Sequence, residues 1–317
     1  MRGSGIWFAH EIQDPEQFDL LLVTDMIALA DLKALWGAKC PPSILYFHEN
    51  QLSYPLPEGE RMDYQFGFTT ITSAMAADAI VFNTHFHLDS FFTDLPRFIQ
   101  KMPEHRPAWV TEILREKARV LYPGCRFQTV KTRQRRPDGT VPVIVWNHRW
   151  EYDKDPDTFF RSLSAVDDMG LSFNLVLIGE NFQAVPKPFL SAKERYGERI
   201  FQYGYVKSRE AYYSSLAASD IIISTAKQEN FGISVIEAIR HGCYPVLPRR
   251  LSYPEILPKR FHDSCLYEST EDLVQKLEHL LRERRYPRRS ELTKAMAKYA
   301  WNHVVGEYDA MFDSLII

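Results

Sequence analysis

The sequence predicts an α/β protein of two doubly wound, Rossmann-like domains facing a cleft, and three observations carry that expectation. Short apolar runs alternate with segments of helical length along most of the chain, the rhythm of a parallel sheet with crossover helices. The rhythm breaks once, at the polar and basic stretch RFQTVKTRQRRPDGTVP (126–142). The chain's 317 residues exceed what one hydrophobic core usually serves and suffice for two domains of ordinary size.

In chain order, the first half offers DLLLVTD (19–25), SILYFHE (43–49), DAIVFNT (78–84) and ARVLYPG (118–124). Each is a short apolar run bounded by residues that favour turns. Pro137, Gly139 and Pro142 close the break that follows, so it reads as an interdomain linker. Beyond it come VPVIVWNH (141–148), FNLVLIGE (173–180), RIFQYGY (199–205), DIIISTA (220–226) and CYPVLP (243–248). The expected division is a domain at 1–125, a basic linker at 126–140, a second domain at 141–298 and a final segment at 299–317.

With 45% hydrophobic residues, 25% charged residues and a formal net charge of −3, the composition is that of a soluble globular protein. It excludes a disordered or uniformly basic chain, so any nucleic-acid contact must be local. The four cysteines, Cys40, Cys125, Cys243 and Cys265, are scattered and form no CxxC pair. That argues against a structural zinc or a disulfide scaffold and fits a reducing cytoplasm. No apolar segment approaches the roughly 18 residues of a membrane span, and MRGSGIWFAHEIQD lacks a signal-peptide core. A cytoplasmic protein with no membrane partner is expected.

The chemistry concentrates in KQENFGISVIEAI (227–239). Glu237 sits inside the apolar run VIEAI, and a buried carboxylate needs a partner. Glu229 stands eight positions earlier, before Phe231 and Gly232. The stretch runs strand, loop, helix, with Gly232 at the helix start, where backbone N–H groups and the helix dipole favour an anion. Arg149 and Lys154, five apart in WNHRWEYDKDP, could join it in holding a diphosphate. By themselves they read equally as exposed cations beside Glu151, Asp153 and Asp155.

Together these residues resemble a GT-B glycosyltransferase of family 4. The matching features, in order, are Arg149 and Lys154 at Arg-x4-Lys spacing, Gly179 after LVLI, Gly204-Tyr-Val, the E-x-F-G-x4-E element from Glu229 to Glu237, Gly242 ahead of Pro245, and Pro254-Glu255. The stretches ILYFHENQLSYP (44–55), DYQFGF (63–68), KMPEHRP (101–107), NHRWEYDKDPDTFF (147–160), STAKQENFG (224–232) and GCYPVLPRRLSYPEILP (242–258) narrow the resemblance to the tRNA-queuosine alpha-mannosyltransferase subfamily. The resemblance implies retaining transfer of mannose from GDP-mannose to queuosine in tRNA. It places the acceptor side at 1–125 and the nucleotide sugar at 141–298.

By the same resemblance Glu237 takes the nucleotide ribose and Glu229 the hexose. Gly179, Asn230, Phe231, Gly232 and Ile233 line the donor site. Arg149 and Lys154 stabilise the departing diphosphate, with no metal and no other cofactor. His48, after the strand SILYF and ahead of Glu49, Asn50 and Gln51, is expected to contact the donor sugar or the acceptor hydroxyl, although a structural loop histidine reads as well. Asn83, Thr84 and His85 hold the equivalent place after the next strand. Tyr64, Gln65 and Phe66 start a helix and suit packing. The final segment, with Trp301, Val304, Val305, Tyr308, Met311, Phe312 and Leu315, resembles the family's last helix, which crosses back onto the N-terminal domain. The family's opening strand and glycine loop have no counterpart in MRGSGIWFAHEI, so the N-terminal domain is expected to lack its first βα unit.

For tRNA, phosphate contacts need local positive charge. RFQTVKTRQRR (126–136) carries five basic residues and no acid, and LRERRYPRR (281–289) carries five arginines and one acid. Two other readings stay open: a family 4 transferase acting on a lipid or small-molecule glycan, and a catalytically silent protein that binds sugar nucleotides or RNA.

Overall fold

Runs of Val, Ile, Leu and Phe that are apolar at every position, not at alternate ones, suit strands covered on both faces, and the structure uses them so. The computed structural model describes residues 3–57, 59, 61–127, 140–180 and 185–316. The chain forms two compact units: Met1–Gly124 with Trp301–Ile317, and Cys125–Ala300.

The first unit contains α1 (Ser4–Glu11), β1 (Leu21–Thr24), α2 (Leu29–Trp36), β2 (Ser43–Tyr46), α3 (Tyr64–Ala76), β3 (Ala79–Phe82), α4 (His85–Gln100), α5 (Val110–Glu116) and β4 (Ala118–Val120). Its four strands are parallel and lie in the order β1-β2-β3-β4. Side chains alternate between the faces with period two. Leu45, Phe47, Ile80 and Phe82 enter a core shared with Phe91, Leu95 and Phe98 of α4, where the Phe47 and Phe82 rings stack at 4.6 Å.

Ile44, Tyr46, Ala79 and Val81 enter a second core on the opposite face. The second unit supplies the elements up to α13, so the last helix of the chain is α14 (Trp301–Asp313), and it covers that second face. Val304 and Tyr308 are buried there, with Met311, Phe312 and Leu315 packed alongside. The Tyr308 hydroxyl donates to the carbonyl of Tyr122 at 3.1 Å and lies 3.1 Å from that of Tyr46.

The second unit contains β5 (Val143–Trp146), α6 (Pro156–Asp168), β6 (Asn174–Ile178), α7 (Lys187–Tyr196), β7 (Ile200–Gly204), α8 (Arg209–Ala218), β8 (Ile221–Ile223), α9 (Ile233–Arg240), β9 (Tyr244–Pro248), α10 (Tyr253–Ile256), α11 (His262–Cys265), β10 (Leu266–Tyr267), α12 (Thr270–Glu283) and α13 (Arg289–Ala295). The parallel sheet runs β10-β9-β8-β5-β6-β7. β5 lies between β6 and β8, so winding reverses there. The carboxyl ends of two strands flanking such a switch point frame the crevice where ligands bind in open α/β sheets.

Candidate functional site

The loops leaving β5 and β8 are stitched to each other. The amides of Lys227 and Gln228 donate to the carbonyl of Asp153 at 2.7 and 3.4 Å. The Thr225 hydroxyl reaches the carbonyls of Lys154 and Asp155 at 3.0 and 2.8 Å. Arg250, at the end of β9, adds a guanidinium bond to the carbonyl of Ala226 at 3.1 Å.

This stitching buries Lys154. A buried ammonium needs acceptors, and its Nζ has the carbonyl of Gln228 at 2.8 Å, Asp153 Oδ2 at 2.9 Å and Glu229 Oε2 at 3.5 Å. The other oxygen of Glu229 accepts from the amides of Gly232 at 2.9 Å and Phe231 at 3.4 Å. The anion at the start of α9 is thus the chain's own carboxylate, which takes the Gly232 amide that the sequence had suggested for a phosphate.

Two glycines of the expected site serve different needs. Gly232 has φ 91°, a left-handed conformation, and an added Cβ there would meet nothing closer than 3.4 Å. At Gly179, just past β6, an added Cβ would fall 2.0 Å from the carbonyl oxygen of His148 and 2.9 Å from Trp150 Cδ1. Packing of the loop after β5 explains that glycine without a ligand. Asn230 and Phe231 are buried. Asn230 Oδ1 accepts from Gln228 Nε2 at 3.2 Å, and the Phe231 ring meets Tyr299 edge-on at 5.3 Å. Ile233 is exposed. Arg149 is half-exposed and pairs with Glu151 at 3.2 Å.

Glu237 is answered by two phenols. The Tyr212 hydroxyl donates to Oε2 at 2.8 Å and the Tyr213 hydroxyl to Oε1 at 3.1 Å. Burial raises the carboxyl above the ordinary range, opposed by those two hydrogen bonds and by the charge of Arg209. Asn147, at the end of β5, donates to the Tyr212 hydroxyl at 3.2 Å and to the carbonyl of Ser234 at 2.7 Å. Beside it His148 is buried, with Nδ1 3.1 Å from the Ser234 hydroxyl. Burial, with Lys154 nearby, pushes its imidazole down to about 3. The structure therefore brings Lys154, Glu229 and the start of α9 into one cluster, while Glu237 belongs to a second cluster with Tyr212, Tyr213 and Asn147. Nothing in the sequence motif signalled those three.

In the first unit, the loop after β2 is organised by Asp25, which sequence reasoning passed over. Its buried carboxylate accepts from the amides of His48 at 3.1 Å and Glu49 at 3.3 Å. Burial pushes Asp25 up to about 6 against the pull of those amides. Burial lowers the His48 imidazole. Asn50 is a structural knot: its Nδ2 lies 3.2, 3.2 and 3.1 Å from oxygens of Ser53, Ser90 and Asp94, which share its two N–H donors, and its Oδ1 accepts from the amide of Leu52. Gln51 is half-buried.

Asn83 Nδ2 lies 3.4 Å from the carbonyl of His48. Thr84 caps α4 by accepting from the amide of His87, and His85 is that helix's first residue. Tyr64, Gln65 and Phe66 open α3, where Asp63 is the cap.

Of the basic segment 126–136, residues 128–136 lie outside the described residues, Arg133, Arg135 and Arg136 among them. In 281–289, Arg289 serves the fold: Nε donates to the carbonyl of Gly242 and Nη2 to that of Ser219. Arg282 pairs with Glu278 at 2.9 Å. Among the described residues, no three His, Cys, Asp or Glu side chains gather to hold a metal. No described helix is long and apolar enough to cross a membrane.

Residues 1–125 match the tRNA-queuosine alpha-mannosyltransferase N-terminal family, and residues 128–303 match the glycosyl transferases group 1 family. A tRNA-queuosine alpha-mannosyltransferase of Drosophila melanogaster is 34% identical over 291 residues, covering 89% of this chain and 76% of that protein. A GDP-mannose-dependent alpha-(1-6)-phosphatidylinositol dimannoside mannosyltransferase of Mycobacterium tuberculosis is 27% identical over 134 residues, 42% of this chain and 34% of that protein. Among solved structures, a sucrose-phosphate synthase from Thermosynechococcus elongatus superposes with TM-score 0.72 at 14% identity, over 94% of this chain and 74% of that one.

Proposed function

Since this chain belongs to the tRNA-queuosine alpha-mannosyltransferase family within the group 1 glycosyltransferases, we propose that it transfers mannose from GDP-mannose to queuosine in tRNA. Transfer retains the anomeric configuration, needs no metal and takes place in the cytoplasm. The observation that supports the reading is the cluster of Lys154, Glu229 and the start of α9 at the β5/β8 switch point, with Glu237 on the same helix and Arg149 on the same loop as Lys154. The relatives' names supply the sugar, the acceptor and the donor base.

Each residue then has a chemical task. A carboxylate offers about four lone-pair sites. The two phenols take two of them on Glu237, which leaves capacity for the two hydroxyls of a ribose. Glu229, held on the amides of α9, faces the hexose hydroxyls. Arg149 exchanges its surface partner Glu151 for the diphosphate, and Lys154 adds a buried positive charge, so the leaving group's growing charge meets a preorganised field. The sugar passes through an oxocarbenium-like state, and the departing phosphate takes the proton of the attacking cyclopentene-diol hydroxyl on the same face. His48 in the first unit is proposed to contact donor sugar or acceptor, and Arg133, Arg135 and Arg136 to meet tRNA phosphates.

The test is product analysis. With GDP-mannose and queuosine-containing tRNA, the digested nucleoside should gain the mass of one hexose, and queuosine-free tRNA should gain nothing. A hexose delivered to lipid or free glycan, or nucleotide binding without any turnover, would overturn the proposal.

A further inference from the structure

Glu237 is held by more than the proposed reaction requires. The Tyr212 hydroxyl donates to Oε2 at 2.8 Å while accepting from Asn147 Nδ2 at 3.2 Å, and Asn147 also grips the carbonyl of Ser234 at 2.7 Å. The Tyr213 hydroxyl stands 3.1 Å from Oε1 and 3.1 Å from the carbonyl of Arg126. Its ring is buried and stacks on His241 at 4.6 Å. The end of β5, α8 and α9 therefore meet through phenols at one carboxylate. A hydroxyl has a single proton, so Tyr213 divides its donation between Arg126 and Glu237, whereas Tyr212 gives its proton to Glu237 alone.

We propose that Asn147, Tyr212 and Tyr213 are positioning residues that hold Glu237 as an ionised, aimed acceptor for the vicinal diol of a nucleoside diphosphate. This rests on the reading of Glu237 as the ribose carboxylate and adds the device that keeps it in that state. Among the described residues, the following charged and titratable groups surround it. Tyr212, Tyr213 and Arg209 come from α8, Cys125 from the segment entering the unit, and His241, whose Nδ1 lies 2.8 Å from the carbonyl of Glu237, from the end of α9 itself. Burial raises the carboxyl, and the phenols and Arg209 lower it. With the phenols removed, burial acts with less opposition. The carboxylate then takes up a proton at a higher pH and loses its charge-assisted bonds to the diol.

The experiment is calorimetric titration of GDP into the full chain and its Tyr212→Phe, Tyr213→Phe and Glu237→Gln variants from pH 5.5 to 8.5. Each result is expressed as variant Kd over parent Kd, so that the nucleotide's own titration cancels. Phenylalanine keeps both rings, including the one stacked on His241. For Tyr212→Phe the ratio should be about tenfold at the acid end, the size of one lost bond to a charged group, and shrink as pH rises. Tyr213→Phe should follow the same trend with a smaller amplitude, because its proton is shared. Glu237→Gln should show the opposite trend, with its largest ratio at high pH, where the parent carboxylate is fully ionised. Ratios for the tyrosine variants that do not change with pH would mean general packing damage and would overturn the proposal. A parent that binds neither GDP nor UDP would instead overturn the donor assignment, and this proposal with it.

Discussion

Each half of the molecule holds a carboxylate out of open solvent, Asp25 buried and Glu237 half-buried, and the two are stabilised by different means. Asp25 in the first unit is held by the amides of the loop it organises, those of His48 and Glu49. Glu237 in the second unit is held by phenols from another helix. Amide donors fix a stretch of backbone, because the loop must keep its shape for both bonds to survive. Phenol donors fix a side chain, here between two helices. The first arrangement shapes a loop, and the second aims a single side chain.

The largest effect expected from this contrast is on nucleotide affinity. Glu237→Ala and Arg149→Ala should each weaken GDP binding by roughly a hundredfold, as loss of a charged hydrogen-bonding partner costs about 1.5–3 kcal/mol. Asp25→Asn at neutral pH should leave GDP affinity unchanged. Calorimetry on the three variants checks the division. Equal losses in all three would erase the distinction between the carboxylates.

Asp25 should instead reveal itself in stability. Its folded value near 6 stands above the unfolded value of about 3.9, so the folded state holds the proton more tightly. The stability this contributes is fully present below about pH 4 and is lost as pH rises through about 6. Denaturant unfolding at pH 4 and pH 7.5 should show the parent losing about 2 kcal/mol relative to Asp25→Asn across that window. A difference that stays constant with pH would show that Asp25 binds its proton equally in both states.

These contrasts also mark how far the sequence could be read. Each of the nine strand-like runs contains a parallel strand, because a continuous apolar run bounded by turn residues is a strong local signal. The two-residue β10 was not foreseen, since a pair of residues has no period. The E-x-F-G-x4-E spacing identified both glutamates, but not what holds them. Tyr212 and Tyr213 lie outside that motif, and their partner is 25 and 24 residues away along the chain. Asp25 was passed over, because the amides that donate to it come from the loop after the next strand. Gly179 matched a donor-site motif, yet the nearby carbonyl of His148 explains why no side chain fits there. Arg289 counted toward a basic patch, while the fold uses it to bind the carbonyls of Gly242 and Ser219.

A smaller effect is expected from the segment that joins the two halves. Replacing Arg133, Arg135 and Arg136 with alanine should weaken queuosine-containing and queuosine-free tRNA equally, by about tenfold at low salt, and flatten the salt dependence while sparing GDP. Filter binding at two salt concentrations measures this. Unchanged tRNA affinity would place the RNA elsewhere. The smallest effect expected is none: EDTA should leave the transfer rate alone if, as proposed, Arg149 and Lys154 meet the diphosphate charge. A rate abolished by chelation and restored by Mg²⁺ or Mn²⁺ would contradict this.

The account turns on Glu237 receiving a ribose diol, and the most direct measurement compares GDP with 2′,3′-dideoxy-GDP on the parent and on Glu237→Ala. The parent should bind GDP about tenfold or more tightly than the dideoxy nucleotide, and the variant should bind the two alike. A variant that keeps the parent's preference for the diol would show that another group receives it.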